Sequence, residues 1–136
     1  MVDQQAFKDA MSQLAAAVAI VTTGTADAPH GTTVSAFMSL SLEPPMVLVS
    51  LDKKSSLLAQ LDVGSSIGIN VLSTEQNALA RRFASKGVDR FAGVDWCVSD
   101  GAPKIAGDHT WVAGTVGRII EAGDHFLVLI DVHATE

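Results

Sequence analysis

Residues 53–56 read Lys-Lys-Ser-Ser and lead into Leu57 and Leu58. Two ammonium groups beside two hydroxyls, at the start of a segment with helical leucine spacing, could bind one phosphate through charge, hydroxyls and free backbone N–H groups. An ordinary serine-capped helix with solvated lysines accounts for the same four residues. Twenty residues earlier, TTVSAFMSLS places small hydroxyls at Thr33, Ser35, Ser39 and Ser41. Such side chains let backbone and hydroxyl donors approach a flat polar ligand, although a barrel strand with one wet face has the same pattern. The four histidines, at 30, 109, 125 and 133, have neither helical i,i+4 pairing nor cysteine partners, so a metal centre is not expected. GSSIG, at 64–68, offers Ser66 as a nucleophile but precedes a strand, the wrong side of a strand-to-helix elbow. Neither a G-x-G-x-x-G nor a P-loop signature occurs.

The elements that must hold these residues are predominantly β. Phe7, Met11, Leu14 and Val18 recur at three- and four-residue spacing, which predicts an opening helix capped by Asp3. VAIVTT, the turn-rich GTADAPHG and TTVSAFMSL predict a hairpin, and MVLVSL after Pro44 and Pro45 predicts a buried strand. SSLLAQL then predicts a short helix, SIGINVL a strand and EQNALARRFAS a second helix with Leu79 and Phe83 on one face. A loop rich in Gly, Asp and Ser follows, and the C-terminal run forms two long strands about an EAGD turn. About six strands in so short a chain favour a closed or nearly closed barrel, which removes exposed edges.

Composition narrows the function classes. With 136 residues, 48% hydrophobic and 18% charged, the expectation is one domain spanning 1–136. A net charge of −6 argues against a general nucleic-acid or anionic-membrane surface, so any anion site must be local. The apolar run 14–21 is too short to span a bilayer and lacks a basic leader, and the single cysteine, Cys97, suits a reducing cytoplasm.

Six segments, in order, resemble the short-chain flavin reductase family: AAAVAIVTT, GTTVSAFMSLSLEPPMVLVSLDKKSS, INVLSTEQNALARRFASK, RFAGVDW, GAPKIAGDHTW and GDHFLVLIDV. The most specific is T-x-S-x-F-x-S-x-S-x-x-P-P, leading into an apolar strand and a serine-rich helix start. The resemblance covers nearly the whole chain and implies a mainly β, FMN-binding split barrel with short peripheral helices. It also implies NAD(P)H-dependent transfer of hydride to FMN or FAD, with reduced flavin passed to a partner monooxygenase.

By the same resemblance, Thr33, Val34, Ser35 and Ala36 would contact the isoalloxazine, and Ser50, Leu51 and Asp52 would lie along the ribityl chain. Ser55 and Ser56 would hold phosphate, with Lys53 or Lys54 nearby. Arg82, Phe83, Ser85 and Lys86 belong to a loop that would close over the cofactor from the other subunit of a homodimer. Phe83, Phe91, Trp96 and Trp111 are candidates for stacking or for the core. His125, in GDHF, corresponds to the family histidine placed near nicotinamide and flavin; a hairpin-start hydrogen bond is its rival role. Relatives extend past the last barrel strand with a short tail that shapes the nicotinamide pocket, whereas this sequence ends at VHATE. Two other readings fit the same barrel: an FMN-binding electron carrier that takes no nicotinamide, and a ligand-free interaction module.

Overall fold

A computed structural model describes the chain from Met1 to Glu136. Nine strands form: β1 Ala19–Gly24, β2 Pro29–Val34, β3 Phe37–Leu42, β4 Pro45–Asp52, β5 Ser66–Val71, β6 Trp96–Ser99, β7 Ala102–Ile105, β8 Thr110–Ala122 and β9 His125–Thr135. Seven of them make one sheet in the order β2-β1-β5-β8-β9-β4-β3, every pairing antiparallel.

The two edge strands of that sheet, β2 and β3, are consecutive in the chain and joined by Ser35 and Ala36 alone. A flat seven-stranded sheet is about 29 Å wide, and a two-residue joint spans roughly 11 Å at most. The sheet must therefore curl until its edges meet. The Ser50 amide donates to the Ala36 carbonyl at 2.9 Å, which carries the β3–β4 ladder one residue into the joint. β2 and β4 do not pair, and there the barrel is split. The alternating residues Ala19 and Val21, Val49 and Leu51, Ile67 and Ile69, and Val128 and Ile130 fill its interior, each nearly inaccessible.

The strand predicted across TTVSAFMSL is in fact two, because its halves pair with different neighbours at opposite edges. SSLLAQL forms only a 3₁₀ turn, Leu58–Gln60, instead of a helix. Leu57 and Leu61 are drawn into the barrel core, which leaves no length for a helical ladder or its macrodipole. The opening helix, α1 Gln4–Met11, has the expected cap, Asp3 accepting from the Ala6 amide at 3.1 Å. It stops short of Leu14 and Val18 and buries no residue. The second helix, α2 Asn77–Arg82, follows a 3₁₀ turn whose Ser73 and Gln76 form a capping box.

The stretch read as a loop contains the β6–β7 hairpin, turned by Asp100 at φ 51° and Gly101 at φ 88°. An Asp-Gly pair of positive φ is the signal for such a turn. Buried Asn70 docks this hairpin on the barrel: its amide nitrogen donates to the Ile20 and Pro103 carbonyls, and its oxygen accepts from the Ile105 amide at 2.7 Å. Ser66 opens β5, so GSSIG has no elbow geometry.

The β8–β9 ribbon shifts register between Ala113 and Gly114 and again between Val116 and Arg118. Such bulges tighten the coil that closure demands. At Gly114, a Cβ would collide with the Asp131 carbonyl and the Ile130 side chain. Gly114→Ala should destabilise the fold by about 2–3 kcal/mol through overpacking against backbone, read as a lowered thermal midpoint; an unchanged midpoint would contradict the bulge geometry.

Candidate functional site

Between β2 and β4, which do not pair, a cleft of about 970 Å³ opens. One wall is β2 and the joint after it, and the other is the end of β4 with the turn that follows. Thr33, Val34, Ser35, Ala36, Ser50, Leu51, Asp52, Lys54, Ser55, Ser56, Ser85, Lys86 and His125 all line it. Small and hydroxyl residues dominate, so backbone is within reach along much of the surface.

Hydrogen bonding within the walls is incomplete in a patterned way. The amides of Ser35, Ala36 and Ser56 donate to no acceptor in the chain. The neighbouring amides are occupied: Lys53 donates to the Asp124 carbonyl at 3.0 Å, Lys54 to Asp52 Oδ1 at 2.8 Å and Ser55 to the Asp52 carbonyl at 2.9 Å. Ser55 Oγ accepts from the Leu58 amide at 3.3 Å, fixing the turn that presents Ser56. Free donors thus sit on both walls of the cleft, which also bears serine hydroxyls and the ammonium groups of Lys54 and Lys86.

The two lysines take different positions. Lys53 Nζ pairs with Glu121 Oε2 at 2.5 Å and stands 5.6 Å from the Phe126 ring centre, outside the cleft. That contact holds the Glu121 carboxyl below its ordinary range. Lys54 lines the cleft.

Arg82 and Phe83 also lie outside it. The Arg82 guanidinium donates to the carbonyls of Arg90 at 2.8 Å, Asp89 at 2.7 Å and Ala92 at 2.9 Å, which leaves it tying down the loop 84–91. Phe83 is fully buried with Ile20, Phe91 and Ile105, its ring edge-on to Phe91 at 4.9 Å. Trp111 is fully buried and donates from Nε1 to Asp100; Trp96 is half-buried against Phe91. Phe91 alone of these four aromatics borders the cleft.

His125 begins β9, opposite Asp52 of β4. Its Nδ1 lies 2.8 Å from Asp124 Oδ1, and since a carboxylate can only accept, Nδ1–H donates and Nε2 is left as the acceptor of the neutral ring. The same hydrogen bond is the main reason that the Asp124 carboxyl is held below its ordinary 3.8.

Sequence reasoning missed His30, Thr32 and loop residues 87–90, all of which border the cleft. The repeated Arg-Phe pair, 82–83 and 90–91, was the available signal: each arginine binds loop carbonyls and each phenylalanine enters the same small core.

The family model described as the flavin reductase like domain matches residues 11–136. Over 128 residues the chain is 35% identical to the reductase subunit HsaB of a flavin-dependent monooxygenase from Mycobacterium tuberculosis, a match covering 93% of this chain and 68% of that protein. It superposes with a TM-score of 0.91 on nitrilotriacetate monooxygenase component B from Mycobacterium thermoresistibile, at 35% identity over 98% of this chain and 75% of that one. The NADH:FAD oxidoreductase SgcE6 of Streptomyces globisporus C-1027, solved with NAD and FAD fragments, gives a TM-score of 0.91 at 32% identity, covering all of this chain and 85% of that one.

A carboxyl whose folded pKa is depressed contributes stability that is present above its unfolded value and lost as pH falls through the lowered one. The Asp124–His125 contact should therefore persist through pH 3.8 and break below it, and His125→Ala should return the Asp124 titration toward 3.8. Carbon NMR of the Asp124 carboxyl checks this; a titration that the substitution leaves unmoved would rule out the contact.

Proposed function

The chain belongs to the flavin reductase-like family, and on that footing we propose that it is an NAD(P)H-dependent oxidoreductase that transfers hydride to FMN or FAD. The observation that carries the reading is the set of unpartnered amides at Ser35, Ala36 and Ser56, gathered with Lys54 in one cleft of hydroxyl and small residues. A flavin needs that combination: backbone donors for the polar edge of its ring, and an anion site one ribityl length away. The cleft suits such a ligand in both donor chemistry and size.

Bound flavin supplies the hydride acceptor and reduced nicotinamide the donor, so the chain's own task is orientation, not proton transfer. In this reading Thr33, Val34, Ser35 and Ala36 hold the ring, Ser50, Leu51 and Asp52 flank the ribityl chain, and Lys54, Ser55 and Ser56 bind phosphate. Lys53, tied to Glu121, sets the turn that presents Lys54. Ser85 and Lys86, which border this chain's own cleft rather than reaching it only from the other subunit as the resemblance implies, cover the ligand on a loop that Arg82 and Phe83 position. His125 orients the nicotinamide, with Asp124 fixing its tautomer.

The partner is a flavin-dependent monooxygenase that takes up the reduced flavin, a role supported by the likeness to HsaB and to nitrilotriacetate monooxygenase component B. No helix is long and apolar enough to cross a membrane, and a reducing cytoplasm suits the exposed Cys97 thiol. The working unit is residues 1–136 as one domain, assembled as a homodimer. Phe7, Met11 and Leu14 near α1, and Met38, Leu40 and Leu42 on edge strand β3, are exposed, an apolar surface that a second copy would cover. Sedimentation at assay concentration should give twice the chain mass of 14.2 kDa; a monomer would leave that surface unexplained and refute the dimer.

The deciding experiment follows NADH and NADPH oxidation by flavin-stripped protein with FMN, FAD or no flavin. Turnover that requires added flavin is expected. Tight flavin binding with no oxidation of either nucleotide would instead make the protein an electron carrier.

A further inference from the structure

His30 lies on β2, directly opposite Thr23 of β1. Its orientation follows from its neighbours. A Cβ at Gly31 would meet the Phe83 and Phe91 rings, and Thr33 Oγ1 donates to the Ala80 carbonyl at 2.5 Å, so the odd positions of β2 face the 83–91 segment. The even positions take the other side. Val34 there joins the barrel core with Leu57 and Leu61, the leucines that follow Ser55 and Ser56. His30 and Thr32 share that face of β2 and border the same cleft as the two serines.

The strand that carries His30 pairs with β1 along one edge and is held by the segment after α2 along the other. Arg90 Nη1 donates to the Gly31 carbonyl at 2.7 Å, and the Thr33 amide donates to the Phe83 carbonyl at 3.3 Å. The imidazole itself makes no side-chain hydrogen bond or ion pair, whereas His125 is held by Asp124, Asp52 by the Lys54 amide and Asp89 by the Phe91 amide. A half-buried, uncommitted imidazole on a fixed strand, bordering a cleft with two serines and a lysine, is suited to an anionic oxygen.

The geometry points to His30 as a further binding residue of the cleft, donating a hydrogen bond to a phosphoryl group of a bound nucleotide. This rests on the flavin reductase reading and adds to it. Two phosphoryl groups share that chemistry: the phosphate of the flavin and the pyrophosphate of the dinucleotide donor.

His30→Ala and His30→Gln, each first checked for an unchanged thermal midpoint, distinguish them through equilibrium affinities for FMN and for riboflavin, which lacks the phosphate. The inhibition constant of ADP-ribose, which has the donor's pyrophosphate without its nicotinamide, gives the second arm. If His30 holds the flavin phosphate, His30→Ala weakens FMN about tenfold and riboflavin less than about twofold, with His30→Gln between. If it holds the donor, FMN is unchanged and ADP-ribose inhibition weakens about tenfold. Equal losses of FMN and riboflavin, or no change in either arm, would overturn the inference. Wild-type protein that binds neither flavin would overturn the underlying reading instead.

Discussion

Everything in this fold depends on a two-residue joint. Because Ser35 and Ala36 alone connect the two edges of a seven-stranded sheet, the sheet cannot be flat, and its edges must meet at that joint. Past that point β2 turns along one wall and β4 along the other. The cleft is the wedge between them, so closure and ligand space come from one constraint. The joint residues lie between the two strands, and the amides of both have no partner in the chain.

A split barrel leaves β2 with an open edge, and an open edge invites pairing with other chains. Here the edge is occupied by the segment after α2. The Phe83 carbonyl accepts from the Thr33 amide, and the Arg90 guanidinium takes the Gly31 carbonyl and the Ser85 carbonyl together. Arg82 adds three loop carbonyls, and Phe83 and Phe91 anchor both ends beneath. The arrangement that protects the edge also places Ser85 and Lys86 beside the cleft. Arg82 and Phe83 therefore belong to the architecture of the site without lining it.

Much of this was legible in the sequence where a local rule decides the outcome. The β8–β9 hairpin follows from strand patterning about a two-residue Gly-Asp turn, with Gly123 at φ 62°. The hydroxyl-rich segments could be named because small residues flank a core strand, whereas His125 was named only through the resemblance of GDHF to the family's motif. What the local pattern could not supply is set by partners distant in sequence. TTVSAFMSL has one continuous pattern, yet its halves join opposite sheet edges. Leu57, Leu58 and Leu61 have helical spacing, but the barrel interior captures Leu57 and Leu61 and leaves a single 3₁₀ turn. The amphipathic face of α1 exists but buries nothing in this chain. His30 gave no signal at all, since its role depends on which face of β2 the Gly31–Phe packing selects.

Lys53 and Lys54 show how an acidic protein, at net −6, keeps one of two adjacent ammonium groups at its cleft. Identical side chains in adjacent positions are indistinguishable by composition. The turn separates them: Asp52 binds the Lys54 amide through its carboxylate and the Ser55 amide through its carbonyl, while the Lys53 amide is drawn to the Asp124 carbonyl of the next hairpin. Lys53 then spends its charge on Glu121, and Lys54 is presented to the cleft with Ser56 behind it. The charge that matters is fixed by backbone hydrogen bonds, and Asp124, which anchors that turn through its carbonyl, also orients His125 through its carboxylate. One aspartate thus links the lysine-bearing turn beside the cleft to its histidine. That link is why a site without an acid–base pair can still depend on a few rigidly placed side chains.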